Sequence, residues 1–577
     1  MPPIAKFTSG ESCTQRKREA NPRLDAARMA ALKKLRHKLV VLCSSSVQKA
    51  GGQALPVLCF ERWLARYALR RDEAINKIVS SGSGNSKEST AEKIEKLKSS
   101  LDPLVPSDGF VDRGLVKDLN RSKVPFDTAK QVAATLASEA KEAAIRIQEE
   151  NPDRSLDTHD RVIEARKRAK KDIKAALKDI KAKSKAAQEA LGVEAGNADT
   201  NDDSNNDQND RNSNIISTLR DLKSATLRFE EKIQLAQRDA VKPITTGTCG
   251  GISINGARRE GIYDITLKGP NGKPNRPYLT VSRQHLCKLI QLWTIQGDDK
   301  DEGEKIAELD VDPIKLIDAM PETDQPRIRM AIYCCLSRYE ALRGAGYQCA
   351  VPGIAFDAAS KCGLGTTIEC FASPLNCRYR RYCSAFPDIE HQFGSVGSFF
   401  DDNSFNPNEG SFEANPPFVP ETMDAMGDKI QRLLDDPKRG PLSFLVVIPA
   451  WGAGSAFCQK LQKSSHTRAN ALIPAADHAY YDGAQHTKLA HSEESLLRPS
   501  SWDTAVILMQ NDLGTKVWPV EEDKLRETFC VALTDAAKTI PDSSSTLDKW
   551  ERRGVSGGGS LNRHGLDPMK QDKKRKR

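Results

Sequence analysis

The sequence of 577 residues lacks the patterns that would place a chain in a membrane or among disulfide-bonded secreted proteins. It contains no apolar run of about 18 residues, the length that spans a bilayer. Charged residues occupy the N-terminus, where a signal peptide needs an apolar stretch. The 14 cysteines include no Cys-x-x-Cys pair and no Cys/His group at zinc-binding spacing. We therefore expect a soluble, non-secreted chain with reduced thiols and no bound metal ion.

Two sequence patterns that could indicate nucleotide or nucleic-acid binding each lack a residue type that such binding needs. The Gly-rich stretch 247–255 lacks the lysine of a phosphate-binding P-loop, which favours a simple loop between strands. The strongly basic helical segment 161–185 has no aromatic residue that could stack on bases, which favours a solvated helix face. A net charge of +9 is compatible with a polyanionic partner without requiring one.

Composition changes along the chain predict a polar N-terminal half and a folded C-terminal half. Strands alternate with helices in the second half, so we predict an α/β, Rossmann-like sheet there, preceded by a helical domain and by long charged, partly disordered N-terminal helices. The predicted segments are a basic tail and small helical region (1–85), charged helices with an Asn/Asp-rich disordered linker at 196–214 (86–240), a hairpin plus helical RNA- or cap-binding domain (243–350), the Rossmann-like domain (351–540) and a disordered basic tail (541–577).

The strongest chemical pattern lies in the stretch 410–418. Its β-prone residues lead into Asn415-Pro416-Pro417-Phe418, and a helical pattern begins at Pro420, so the turn should lie at the carboxyl end of a strand, where open α/β sheets bind ligands. The Asn415 side-chain oxygen and the Pro416 carbonyl can each accept a hydrogen from an amino group, and Phe418 can stack on the ring that carries it. An equally simple interpretation is a proline-stiffened turn whose asparagine caps the helix.

Several blocks around this turn keep the order and spacing of one known family. They are 368–376, 382–388, 393–395, 411–418 and 442–449. Over roughly residues 250–515, the chain closely resembles the cap-specific adenosine N6-methyltransferases, also called phosphorylated-CTD-interacting factors. The resemblance implies transfer of a methyl group from S-adenosylmethionine to N6 of the (2′-O-methyl)adenosine next to the mRNA 7-methylguanosine cap.

Animal relatives in this family begin with a WW module, which needs two tryptophans. Only Trp63 lies in the first 290 residues, so we expect a chain without the N-terminal WW module, and the sequence lends no support to binding of a phosphorylated polymerase tail. The expected partner is the capped mRNA 5′ end, with no membrane. The five cations at 573–577 favour a nuclear import signal, with a nonspecific RNA-binding tail as the alternative.

The resemblance also implies roles for individual residues. The catalytic group is Asn415, Pro416, Pro417 and Phe418. The cofactor candidates are Glu369, Ser373, Pro374 and Asn376. Apart from the resemblance, Asp388 and Asp401 are alternatives for the cofactor's ribose hydroxyls, because each ends a short apolar run before a turn. For Asp388 and Asp401, a role as a helix cap or as a hydrogen-bonding residue within a turn is equally plausible.

Arginines beside tyrosines predict contacts with RNA phosphates or the cap. One group lies in a helical pattern, and a second flanks Tyr379 just after the predicted active-site turn. These candidates are Arg327, Arg329, Arg338 and Arg343, and then Arg378, Arg380 and Arg381. The competing interpretations are ordinary helix design and ion pairing with nearby carboxylates such as Asp388 and Glu390.

Two other functions fit the same residues. Adenine and glutamine side chains share a planar amino group, so the turn alone is compatible with methylation of internal RNA, of DNA or of protein glutamine. A non-catalytic RNA-binding protein that keeps the fold is the third hypothesis. Because the N-terminal 240 residues contain no recognisable chemistry, we interpret them as dispensable for catalysis.

Overall fold

The computed structural model describes residues 6–7, 20–49, 58–80, 93–94, 97, 101–150, 251–257, 260–268, 279–295, 311–342, 349–451, 456–482 and 496–540. They belong to one compact unit formed by 1–151 and 250–577, whereas the second unit, 152–249, lies outside the described residues. The predictions for 161–185, 196–214 and 573–577 therefore also fall outside them. Among the described helices, none is long and apolar enough to cross a membrane.

The elements follow one another in an α-rich N-terminal region and a mixed C-terminal region. The helices are α1 (Pro22–Lys49), α2 (Leu58–Ser80), α3 (Arg113–Arg121), α4 (Phe126–Glu150), α5 (Arg283–Thr294), α6 (Pro313–Asp318), α7 (Asp324–Leu342), α8 (Gly353–Cys362), α9 (Pro387–Glu390), α10 (Pro420–Asp435), α11 (Ala456–Gln462), α12 (Asp512–Val517), α13 (Glu522–Leu525) and α14 (Val531–Lys538). The strands are β1 (Lys6–Phe7), β2 (Ile252–Gly256), β3 (Ile262–Leu267), β4 (Leu279–Ser282), β5 (Cys349–Ala350), β6 (Ile368–Ala372), β7 (Tyr382–Ser384), β8 (Ser395–Gly397), β9 (Pro407–Ala414), β10 (Leu442–Pro449), β11 (Thr467–Ile473), β12 (Ala479–Asp482), β13 (Leu497–Pro499) and β14 (Thr504–Gln510).

A central, mostly parallel sheet has the order β11-β14-β10-β9-β6-β7-β8, and β1 pairs with β9 beside this path. Strands β8, β7, β6, β9 and β10 run parallel, and β14 runs antiparallel to both β10 and β11. All eight residues of β10 are buried, as the continuous apolar run between two prolines predicts for an interior strand. The predicted mixed α/β fold with a helical N-terminal region is confirmed.

Each face of the central sheet packs against its own helices. On one face, Met423, Met426 and Ile430 of α10 contact Phe412 of β9 and Phe444 of β10 in a shared core. On the other face, apolar residues of α8, such as Ala355 and Phe356, join Leu445 and Val447 of β10 and the C-terminal helical segment. Alternate residues of β9 and β10 therefore face opposite layers, which is the strand periodicity that sets the direction of every site residue on β9.

The N-terminal helices share a third core with the region before the sheet. Residues of α1, α2 and α4 pack with β3, α5 and α7, and this cluster extends to Leu375 and Tyr382. Asn76 of α2 also donates a hydrogen bond from Nδ2 to the Phe400 carbonyl, 2.6 Å away, in the loop after β8. Described residues of 20–49, 58–80 and 101–150 therefore complete a core, and the dispensability of residues 1–240 for catalysis stays a prediction.

Two small antiparallel sheets accompany the central one, with orders β2-β3-β4 and β13-β12-β5. The predicted hairpin is confirmed as β3 paired with β4. The prediction of a simple loop is wrong for residues 252–255, which belong to β2 and pair with β3, whereas residues 247–250 lie outside the described part of the chain. Ile252 and Ile254 are buried on one face of that strand, an alternation that outweighs the nearby glycines.

Candidate active site

The candidate site lies where the strand order of the central sheet reverses. From β6 the chain moves outward to β7 and β8, and it then returns to place β9 on the opposite side of β6. The turns after β6 and β9, at 373–376 and 415–418, therefore leave neighbouring parallel strands at the same edge of the sheet. Open α/β sheets bind ligands in the crevice at such a switch point.

Asn415 presents a buried acceptor that has no partner among the described residues. The residue is 5% exposed, and its Nδ2 donates a hydrogen bond to the Cys349 carbonyl at 3.2 Å. This bond fixes the amide so that Oδ1 points elsewhere, and Oδ1 is buried without a hydrogen bond. The first residue before α10 is Val419, and no side chain caps that helix, so the interpretation of Asn415 as a helix cap is wrong.

The two prolines shape the turn after Asn415. The Pro417 carbonyl accepts a hydrogen bond from the Val419 N–H at 2.7 Å, which closes a tight turn. No described donor reaches the Pro416 carbonyl oxygen. The turn thus keeps two acceptors, the Asn415 Oδ1 and the Pro416 carbonyl, available to a ligand.

Phe418 forms one wall of the site. Its half-buried ring meets the Tyr480 ring edge to face, with centroids 6.1 Å apart. The Tyr480 hydroxyl and His478 Nε2 lie 2.7 and 2.8 Å from the Thr504 hydroxyl oxygen. His478 is fully buried, so it and Tyr480 anchor the wall inside the fold rather than offering polar atoms to a substrate.

Hydrogen bonds within the turn after β6, and others from α5, stabilise this turn. Asn376 Oδ1 accepts hydrogen bonds from the Ser373 N–H at 2.7 Å and from the Ser373 hydroxyl at 2.8 Å. Lys288 Nζ donates to the Leu375 carbonyl at 3.3 Å and to the Cys377 carbonyl at 2.6 Å. The candidates Ser373, Pro374 and Asn376 therefore lie together in one buried, rigid turn, with the two side chains bonded to each other.

Two buried carboxyl groups lie side by side at the bottom of the crevice. Glu369 of β6 is paired in register with Glu413 of β9. Glu369 Oε1 accepts the N–H groups of Arg378 and Tyr379 at 2.6 and 3.0 Å, yet its burial raises the pKa of Glu369 to about 7. Burial, and then the Glu369 carboxyl, raise the pKa of Glu413 well above its ordinary value.

Glu413 is the site residue that the sequence reasoning missed. It is 2% exposed, and its Oε1 has no hydrogen-bond partner among the described residues. Glu413 lies one residue before the end of β9 and two positions before Asn415, the first residue of the turn. That spacing was visible in the sequence and could have identified the residue.

The two ribose candidates have hydrogen-bond partners within the fold, and their binding of the cofactor ribose stays a prediction. Asp388 forms a bidentate ion pair with Arg338, with N–O distances of 2.7 and 2.9 Å. Although burial acts in the opposite direction, this guanidinium holds the pKa of Asp388 below its ordinary value. Asp401 is 4% exposed and accepts hydrogen bonds from Asn403 and Ser404 of its own turn, so it is a turn acid.

The described arginines of α7 each have an acidic partner within the fold. Arg338 is 1% exposed and bridges Asp388 and Asp25, a buried position that lends no support to the prediction that it binds RNA. The others are placed as follows: Arg327 pairs with Asp324 at 3.2 Å, Arg329 pairs with Asp318 at 2.9 Å, and Arg343 lies outside the described residues.

Arg378, Arg380 and Arg381 are half-buried beside the turn after β6. Arg378 pairs with Asp357 of α8 at 3.3 Å, while Arg380 and Arg381 have interactions of their own within the fold. Of the two carboxylates expected to pair with these arginines, Asp388 pairs with Arg338 and Glu390 accepts the Tyr339 hydroxyl. Phosphate binding by this group stays a prediction.

Comparisons with known proteins find two similar curated proteins and one matching family model. Two curated proteins, both called mRNA (2′-O-methyladenosine-N(6)-)-methyltransferase, are 39% identical (human) and 38% identical (mouse) to this chain over 203 residues. Each match covers 34% of this chain and 28% of the relative. The chain thus matches less than a third of the length of these relatives.

A family model described as "Phosphorylated CTD interacting factor 1 WW domain" matches residues 316–483. The expectation of a chain without a WW module is corrected by this match, which lies in the C-terminal half rather than at the N-terminus. In that segment the structure describes α7 to α11 and β5 to β12. The match therefore includes both turns of the candidate site.

Proposed function

We propose that this chain transfers the methyl group of S-adenosylmethionine to N6 of the adenosine next to the mRNA 7-methylguanosine cap. The observation that carries the proposal is the Asn415 amide: its Nδ2 is bonded to Cys349, and its Oδ1 is a buried acceptor without a partner. A buried unsatisfied acceptor is costly, so its persistence at a strand end favours a ligand that donates a hydrogen there.

The residues at the switch point fit the implied cofactor. The rigid turn 373–376 follows β6, and Glu369, near the start of that strand, is in register with Glu413, one residue before the end of β9. The unpaired Glu413 Oε1 offers an acceptor to a cationic group, and S-adenosylmethionine carries an ammonium and a sulfonium. When bound, this cofactor supplies an electrophilic methyl group on its positively charged sulfur. A Rossmann-like methyltransferase fold accounts for this placement.

The chain's own residues account for activation of the amino nitrogen. The lone pair of adenine N6 is delocalised into the ring and is a weak nucleophile. Asn415 Oδ1 and the Pro416 carbonyl each accept one amino hydrogen, which holds the nitrogen with its lone pair toward the methyl group. Phe418 stacks on the ring and fixes its plane. The proton becomes acidic after methyl transfer and leaves to water, so this scheme uses no strong base.

The substrate assignment rests on the names of the relatives and on the region that the family model matches. The names specify a 2′-O-methyladenosine of mRNA, and the family match over residues 316–483 includes Asn415 and Phe418. The family description also makes the transcription machinery a proposed partner. Adenine outside the cap context, or a glutamine amide, presents the same planar amino group and is the second candidate substrate.

The test is a substrate panel with the full-length protein and isotope-labelled S-adenosylmethionine. The panel contains capped RNA beginning with 2′-O-methyladenosine, adenosine or guanosine, the matching uncapped RNA, and a glutamine peptide. We expect label only on capped RNA beginning with adenosine, recovered as an N6-methylated nucleoside by mass spectrometry. Equal labelling of capped and uncapped RNA would contradict the cap assignment, and labelling of the peptide alone would contradict the choice of adenine.

A further inference from the structure

We propose that Glu413, with Glu369 beside it, receives the positively charged part of the methyl donor, and that binding of this cation releases a proton from the pair. This inference rests on the proposed function, since it takes S-adenosylmethionine as the ligand. It assigns a positioning role to a residue outside the Asn-Pro-Pro-Phe turn.

The geometry of β9 places the pair directly below the turn. Ser411 and Glu413 alternate along β9 and leave the same face, and Asn415 is the first residue after the strand. Each of the three is at least nine-tenths buried, and each has a side-chain oxygen without a hydrogen bond among the described residues. Glu369 adds a carboxyl group at the register position opposite Glu413. A row of unpaired acceptors ending at a crevice is an arrangement that a donor-rich or cationic ligand would satisfy.

Burial explains why the pair would change its protonation state. Taking a carboxylate out of water without a partner is costly, and a second carboxylate beside it adds repulsion, so the empty pair is favoured in the protonated form. The burial of both groups raises their pKa values, to about 7 for Glu369. An ammonium or sulfonium beside them stabilises the charged form. In this binding reaction, a neutral carboxyl group and a cation form a carboxylate–cation pair, and one proton is released into solution.

Other charged and titratable groups around the pair come from several elements. Lys288 of α5 and Arg378 act on Glu369 and favour its charged form. On neighbouring strands, Cys370 of β6 and Tyr480 of β12 each have a pKa raised mainly by burial, with a smaller contribution from Glu413. Both groups are therefore neutral near pH 7, and Glu413 has no cation close enough to replace the ligand in this part of the structure.

Isothermal titration calorimetry of the full-length protein tests the proposal. Titrating S-adenosylmethionine in phosphate and in imidazole buffers, which differ in ionisation enthalpy, gives the number of protons released per ligand bound. At about pH 6 we expect release of roughly one proton, falling toward about pH 8 as Glu369 ionises before binding. S-adenosylhomocysteine keeps the ammonium and lacks the sulfonium, so equal release with it assigns the ammonium as the bound cation, and loss of release assigns the sulfonium.

The variant Glu413→Gln should release less than half as many protons and bind about tenfold more weakly, because the amide cannot take up the charge. Glu409→Gln, on the same strand at its other end, should behave as wild type. A melting curve of each variant checks the fold, and Glu369→Gln replaces Glu413→Gln if the latter does not fold.

Binding by wild type without proton release, or unchanged release in Glu413→Gln, would overturn the proposal. Absence of binding by wild type would contradict the proposed function itself.

Discussion

At the residue scale, the Asn415 side chain combines one bonded and one unbonded polar atom in the same buried amide. A buried acceptor without a partner costs about 1–3 kcal/mol. The bond to the Cys349 carbonyl prevents the amide from rotating to relieve this cost, because rotation would leave the nitrogen unpaired and bring two oxygens together. The side chain is therefore preorganised to accept one hydrogen from a ligand.

Phe418 is the second residue whose role can be measured separately. Phe418→Ala removes the ring that we place on adenine, and it should lower kcat/KM strongly, because stacking on one base contributes about 1–3 kcal/mol. Phe418→Tyr keeps a flat ring and should keep part of the activity. The edge-to-face contact with Tyr480 gives the ring a packing role as well, so melting curves of both variants are needed as a control. Similar kinetic losses in the Ala and Tyr variants would contradict stacking.

At the element scale, α5 supports the turn after β6. The ammonium of Lys288 bonds the carbonyl oxygens of Leu375 and Cys377, on either side of Asn376. These bonds join the small β2-β3-β4 region, whose last strand leads directly into α5, to the edge of the central sheet. The position of the candidate cofactor turn thus depends on an element that precedes it by almost ninety residues.

Lys288→Met should raise the Kd for S-adenosylmethionine by about tenfold, since hydrogen bonds from a charged group contribute about 1.5–3 kcal/mol. Lys288→Arg can still donate to both carbonyls and should recover part of the affinity. Lys315→Met, an exposed change on α6, is the matched control. Calorimetric titration of the ligand and a melting curve for each variant separate the two possible roles. Loss of thermal stability with an unchanged Kd would show that Lys288 supports the fold alone.

At the scale of the whole molecule, the N-terminal helices and the sheet are connected by buried polar contacts. Arg338 of α7 lies between Asp25 of α1 and Asp388 of α9, and Asp25 also pairs with Arg28. Removing one member of such a buried network leaves an uncompensated charge, which is strongly destabilising. Asn76 of α2 adds contacts to the loop after β8. Every measurement proposed above therefore uses the full-length chain.

The sequence was sufficient to predict the elements that depend on local pattern. The apolar run of β10, the helical spacing that begins at Pro420 and the turn at Asn415 are all found where they were predicted. Contacts between distant residues were not predictable in the same way. The Arg338–Asp388 pair and the register of Glu369 with Glu413 arise only when helices and strands pack, so the sequence indicated neither the ion-pair partner of Asp388 nor Glu413 as a candidate site residue.

The most direct test of the account concerns Asn415 in the assembled protein. Single-turnover methylation of capped, adenosine-initiated RNA should be measured for wild type, Asn415→Ala and the exposed β9 control Asn408→Ala, together with the Kd for the RNA. We predict that Asn415→Ala slows methyl transfer by about a hundredfold or more, while its Kd changes only a few-fold, because the lost hydrogen bond acts mainly in the reacting geometry. Asn408→Ala should match wild type. A rate for Asn415→Ala within a few-fold of wild type would contradict the assignment of its side-chain oxygen as the acceptor for the amino group.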